Sequence, residues 1–147
     1  MPANDDCDDL HAIEALIARQ FASLTWNEGG SGDWAGFAAD FLPDAPLFPA
    51  ARPVRQQSVR EFVERMEGLA GTTLRSFHQR LVSAEIRVFG NVALAVAVNA
   101  ITERASESTR AVEMLLLVKD HGFWRIAAQA WDTEAPSKPI PPALSAR

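Results

Sequence analysis

No proline occurs between Pro53 and Pro136, and from Leu74 onward apolar and polar side chains alternate instead of recurring at helical spacing. A proline cannot donate a ladder hydrogen bond, so so long a proline-free, alternating stretch predicts central strands of a sheet. Phe89-Gly90-Asn91-Val92 and Asp120-His121-Gly122-Phe123 each have the residues of a two-residue hairpin turn, because Gly and Asn tolerate positive φ. Arg104 to Thr109 is polar and unpatterned, and reads as the looser connection between the two hairpins. Long antiparallel strands are thus expected over 74–89, 92–103, 110–119 and 123–132.

The first half carries a different period. Leu10, Ile13, Leu16, Ile17, Phe21 and Leu24 form an amphipathic stripe with Asp8 or Asp9 as its cap, predicted to stop at the Gly29-Gly30-Ser31-Gly32 break. Asp33 then caps a short helix burying Trp34, Phe37, Ala38 and Phe41, which Pro43 ends. Four prolines between Leu42 and Val54 leave Ala45–Phe48 at most a short edge strand. Ser58 and Glu61 have capping-box spacing ahead of Val59, Phe62, Val63, Met66 and Leu69, with Gly71 to terminate. Three N-terminal helices on a curved antiparallel sheet make an α+β domain over 10–134, flanked by an acidic, disordered arm over 1–9 and a Pro-rich tail over 135–147 suited to lie on a neighbour.

Charge and composition narrow the function. A net charge of −5 without a basic run lacks the footprint that phosphate backbones require, so no nucleic-acid partner is expected. No segment is apolar for long enough to span a bilayer, and there is no secretory leader, so the expected location is the cytoplasm, without a membrane partner. Cys7 is the single cysteine, which excludes an internal disulfide and a thiol pair and reads as an incidental thiol. Spacings that would hold a metal are absent, as is Gly-x-Ser-x-Gly, and no cofactor is implied.

The order helix, short helix, Pro-rich strand, helix and four-stranded meander resembles the nuclear-transport-factor-2-like superfamily, and most of all its SnoaL-like bacterial members. The resemblance spans Leu10 to Glu134 and rests on Asp44-Ala45, on Gly90-Asn91-Val92-Ala93 and on Gly122-Phe123-Trp124-Arg125-Ile126 followed by Trp131-Asp132. It implies a cystatin-like cone holding a small apolar molecule, with the convex sheet face mediating a homodimer. The fold hosts isomerases, dehydratases, hydrolases, cyclases and members without chemistry, so it leaves open whether this chain is an enzyme or a binding module without an open pocket. Ketosteroid-isomerase-like members use a tyrosine hydroxyl and an aspartate after the first strand; this chain has no tyrosine, and Phe48-Pro49 at that place. A dimer also follows from the residues, because Ile86, Val88, Val96, Val98 and Leu115 to Leu117 make both sheet faces apolar, and one helical layer covers only one.

Six residues stand out as candidates for chemistry or binding. Glu113 interrupts Val112–Val118 and must be paired, protonated or wet, which makes it the leading cavity residue. Pairing counted back from the His121-Gly122 turn puts it on one face with Ala130, Asp132 and Trp124, so Glu113 and Asp132 are expected to share a pocket; salt bridges to Arg110 or Arg125 are the competing account. Gln129 and Trp131 would then fall on the opposite face, in an interface. Counting from Gly90-Asn91 places His78 roughly opposite Glu103, on the face of Asn99, as a base with an orienting carboxylate or as a structural strand-end histidine. Trp26 and Trp34 either stack on a ligand or belong to the core.

Overall fold

The computed structural model describes residues 2–104 and 107–145. The chain forms α1 (Pro2–Ser23), α2 (Trp34–Ala39), β1 (Pro46–Phe48), β2 (Gln57–Ser58), α3 (Val59–Ala70), β3 (His78–Phe89), β4 (Val92–Arg104), β5 (Glu107–Asp120), β6 (Phe123–Thr133) and α4 (Pro142–Ser145). The strands make one curved sheet in the order β2-β1-β6-β5-β4-β3, antiparallel except where β1 runs beside β6. Helices α1 to α3 cover one face, called here the inner face. Among the described residues no helix is long and apolar enough to cross a membrane.

The first helix begins well before Leu10, taking in the stretch expected to be an arm. Asp9 does not cap it. Its carboxylate instead accepts from Trp124 Nε1 at 2.9 Å and Lys119 Nζ at 3.0 Å, tying α1 to the β5–β6 hairpin. The helix also stops before the glycine run, at Ser23, because Trp26 exchanges backbone hydrogen bonds with Phe77 and turns the chain into a bridge with the sheet. A tertiary pairing thus overrides local helix propensity. Ile13, Leu16, Ile17 and Phe21 are fully buried, as their spacing requires.

The other local signals are realised closely. Asp33 accepts from Gly36 N at 2.9 Å at the start of α2. Ser58 and Glu61 form a reciprocal capping box on α3, whose Val59, Phe62 and Met66 are buried. His121 and Gly122 both take positive φ in the β5–β6 turn, as does Gly90 in the β3–β4 turn. The Arg104–Thr109 connection is tighter than expected: Ile101 already pairs with Thr109 and Thr102 with Ser108, while residues 105 and 106 lie outside the described residues. β1 is not an edge strand, since β2 pairs beyond it.

Two one-residue irregularities decide which side chains reach the inner face. In β3–β4 the ladder shifts between Leu81 and Ser83, and in β5–β6 between Leu116 and Leu117, where Ala127 is the extra residue of β6. Each bulge reverses the inside-outside sense of the strand beyond it. The tail folds back on its own outer sheet face: Ser83 Oγ donates to Leu144 O at 3.1 Å, and Val112 lines a crevice with Pro139, Ile140 and Pro141. Arg110 pairs with Glu134 at 2.9 Å, and Glu134 in turn accepts from Ile140 N, so the tail starts from a fixed point.

Candidate functional site: a buried carboxyl beneath an aromatic cavity

Between the helices and the inner sheet face lies a cavity of about 310 Å³. Its walls are largely apolar, with the aromatic Phe21, Phe37, Phe62, Phe77 and Trp131 among them, and its polar lining includes Gln20, Gln79, Glu113 and Gln129. Pro49, Ala50 and Ala51 come from the turn after β1, and Arg65 and Glu103 are exposed lining residues. The size suits a small organic molecule, and the mixture of apolar wall and few convergent polar groups is that of a binding site.

Glu113 is on the central strand β5, directly opposite Ala97 on one side and Trp131 on the other. Its Oε1 accepts from Gln129 Nε2 at 2.5 Å and its Oε2 from Asn99 Nδ2 at 3.0 Å. Each of those amides spends its second N–H on a further glutamine: Gln129 on Gln20 Oε1 at 3.0 Å, and Asn99 on Gln79 Oε1 at 3.1 Å. Gln20 Nε2 returns a hydrogen bond to Gln129 Oε1 at 2.8 Å. The result is a buried chain Gln79–Asn99–Glu113–Gln129–Gln20 reaching from α1 across β3, β4, β5 and β6.

Burial pushes the Glu113 carboxyl up to about 7, against the opposing effect of the two amide hydrogen bonds, and no cation pairs with it among the described residues. The group is therefore divided between its protonated and ionised forms near neutrality, as proton transfer requires. Asn99 is fully buried and its Oδ1 has no hydrogen-bond partner.

Asp132 is not part of this site. The Ala127 bulge pairs Asp132 with Val112 on the outer face, and brings Gln129 and Trp131 inward beside Glu113, the reverse of the register counted from the turn. Asp132 is exposed and held below the usual carboxylate range chiefly by the Lys138 ammonium, 2.8 Å away. Trp124, on the turn side of the bulge, does share the inner face with Glu113. The competing salt bridges are also absent, since Arg110 pairs with Glu134.

The β3 bulge acts in the same way on His78. It pairs with Thr102 rather than near Glu103, facing away from Asn99, and its Nε2 lies 2.8 Å from Asn27 Oδ1 in an exposed position. Gln79 takes the inward place beside Asn99 instead. Trp26 and Trp34 do not line the cavity. Trp26 is buried with its Nε1 donating to Leu74 O at 2.9 Å, and it meets Trp34 edge-on, ring centres 5.4 Å apart, and the cavity-lining Phe77 at 5.2 Å.

Of the six candidates, then, Glu113 and Asn99 come together, and the missed partners are Gln20, Gln79 and Gln129. Gln20 was visible in principle: it occupies a stripe position of α1, between Ile17 and Phe21, where a polar side chain is buried and needs a partner.

No family model and no curated protein matches the sequence. Solved structures do match in shape. An uncharacterised protein with a cystatin-like fold from Caulobacter vibrioides is 24% identical, with 87% of this chain and 91% of that one covered at a TM-score of 0.66. A candidate scytalone dehydratase from Novosphingobium aromaticivorans is 17% identical, with 90% and 89% covered at a TM-score of 0.74. A nuclear-transport-factor-2-like protein of unknown function from Pseudomonas putida is 17% identical, with 88% and 90% covered at 0.66. With six strands in one open curved sheet and helices over its inner face, the chain has the nuclear-transport-factor-2-like, cystatin-like fold.

Proposed function

We propose that this SnoaL-like domain binds a small, largely apolar molecule in the cone and that Glu113 exchanges a proton with it, in an isomerase-, lyase- or hydrolase-type reaction. The observation that carries the reading is a carboxyl with no paired cation, raised to about 7, lining an aromatic cavity of about 310 Å³. A self-filled cone without chemistry is the weaker reading, because it provides no reason to bury a carboxyl there. Asn99 and Gln129 act as positioning residues that fix both carboxyl oxygens. Asp132, His78, Trp26 and Trp34 have no part in it.

The test has two arms. Benzyl alcohol added to labelled protein should perturb the side-chain amide signals of Gln20 and Gln129 and the Trp131 indole signal in NMR spectra. In D2O, a panel of small ketones should exchange hydrogens next to the carbonyl faster with the wild type than with Glu113→Gln. Perturbations confined to the outer face would overturn the binding reading, and equal exchange with both proteins would overturn the proton-transfer reading.

The same proposal includes a homodimer through the outer face, in the cytoplasm. Leu94, Met114 and Leu116 are each about half exposed there and border a shallow apolar groove with Phe48 and Val96. The tail covers only the Val98 and Val112 end of this face, leaving the rest for a second copy.

A further inference from the structure

The hydrogen-bonding inventory around Glu113 is unbalanced. Each side-chain amide brings two N–H groups and one oxygen with two lone pairs, so Gln20, Gln79, Asn99 and Gln129 are by themselves balanced in donors and acceptors. The ionised carboxylate adds about four acceptor sites and no donor. The imbalance is visible in the geometry. Both N–H groups of Asn99 and of Gln129 are already spent, one of each on Glu113. Asn99 Oδ1, fully buried, still accepts nothing. Gln20 Oε1 and Gln79 Oε1, both on cavity-lining residues, each accept one hydrogen bond and have room for another. Gln20 Nε2 and Gln79 Nε2 each donate only once, to Gln129 Oε1 and Leu24 O, and neither N–H reaches Glu113; what this floor lacks is a positive charge.

From this unpaired buried carboxylate under five aromatic rings, we propose that the cone's ligand is a small apolar molecule carrying a protonated primary or secondary amine. The inference rests on the cavity-binding reading above and names its ligand class. An ammonium has donors and no acceptor, and supplies the counter-charge that Glu113 does not find within the protein. Phe21, Phe37, Phe62, Phe77 and Trp131 line the space around it, and a cation seated over a ring face gains further attraction. The other charged groups lining the cavity are Arg65 and Glu103, both exposed and of opposite sign, so they do not exclude a cation. The net charge of −5 favours its approach.

Benzylamine, benzyl alcohol and benzoate share one apolar body and differ in the polar group, which makes them suitable probes. In titration calorimetry at pH 8, benzylamine should bind about tenfold or more tightly than benzyl alcohol, with benzoate weakest. In the wild type the benzylamine affinity should rise as pH increases through about 7, while that of benzyl alcohol stays level. In Glu113→Gln the preference should vanish while benzyl alcohol still binds, which doubles as a check that the variant is folded. Equal binding of amine and alcohol, a preference for benzoate, or an amine preference that survives Glu113→Gln would overturn the amine proposal alone. Absence of binding by all three would overturn the cavity-binding reading with it.

Discussion

Glu113 and Trp131 are direct partners across the β5–β6 ladder, so that a buried carboxyl and an indole belong to one inner surface. Trp131 is held by an edge-on contact with Phe62 of α3, ring centres 5.5 Å apart, and so the wall of the cavity is fixed from the helical side and its floor from the sheet.

Glu113 should make the protein less stable as pH rises from about 4.5 through about 7. Its folded value of about 7 lies above the ordinary 4.5, so between those values the native state keeps a proton that the unfolded chain has released. Stability from this group is complete below about pH 4.5, falls as pH rises through about 7, and levels off beyond, a loss on the order of 3 kcal/mol. Asp132 and Glu134, lowered by Lys138 and Arg110, have the opposite sign and act only at more acid pH. Denaturant midpoints from pH 5 to 9 should decline for the wild type and stay flat for Glu113→Gln. A flat wild-type profile would show that Glu113 titrates normally.

Asp132→Ala and His78→Ala should leave the cavity untouched. Both side chains are outside it, one on Lys138 and the other beside Asn27. Benzyl alcohol affinity and the NMR signals of Gln20 and Gln129 should match the wild type in both variants; a loss of binding in either would mean that the inner and outer faces are assigned wrongly.

Trp131→Ala removes the Phe62 contact and part of the cavity wall together. The expected cost is roughly 3 kcal/mol in chemical denaturation, accompanied by weaker binding of benzyl alcohol. A stability loss without any change in binding would indicate that Trp131 is purely a packing residue.

Leu116→Lys should yield a folded monomer. Leu116 is on the outer face, about half exposed, and borders the apolar groove. Light scattering coupled to size exclusion should give a dimer for the wild type and a monomer for the variant, with an unchanged circular dichroism spectrum. A monomeric wild type at micromolar concentration would refute the dimer.

The elements were legible in the sequence because each rests on local chemistry: the stripe of α1, the Asp33 cap, the Ser58–Glu61 box and the Gly90 and Gly122 turns. Glu113 and Asn99 were legible as polar residues set among apolar neighbours. Their partners were not, for one shared reason. Counting from a turn assumes an unbroken ladder, and the shifts beside Leu81 and at Ala127 break it on both sides of the site, exchanging His78 for Gln79 and Asp132 for Trp131. Nothing local marks Ala127 as a bulge: it lies in a run of Ile126, Ala127 and Ala128 with no glycine to announce it. The early end of α1 was hidden similarly, being set by the distant Phe77.

The extra residue in β6 also divides that strand into two parts with separate duties. Trp124 and Ile126, before it, pack in the core, whereas Gln129 and Trp131, after it, equip the cavity. Drawing Ala127 into a regular ladder, with the strand's length unchanged, would turn the second part over, presenting Ala128, Ala130 and Asp132 to the cavity while the first part stayed in place. A lineage built on this sheet thus has a route to new pocket chemistry in one step, using side chains it already carries, without first having to rebuild the protein that supports them.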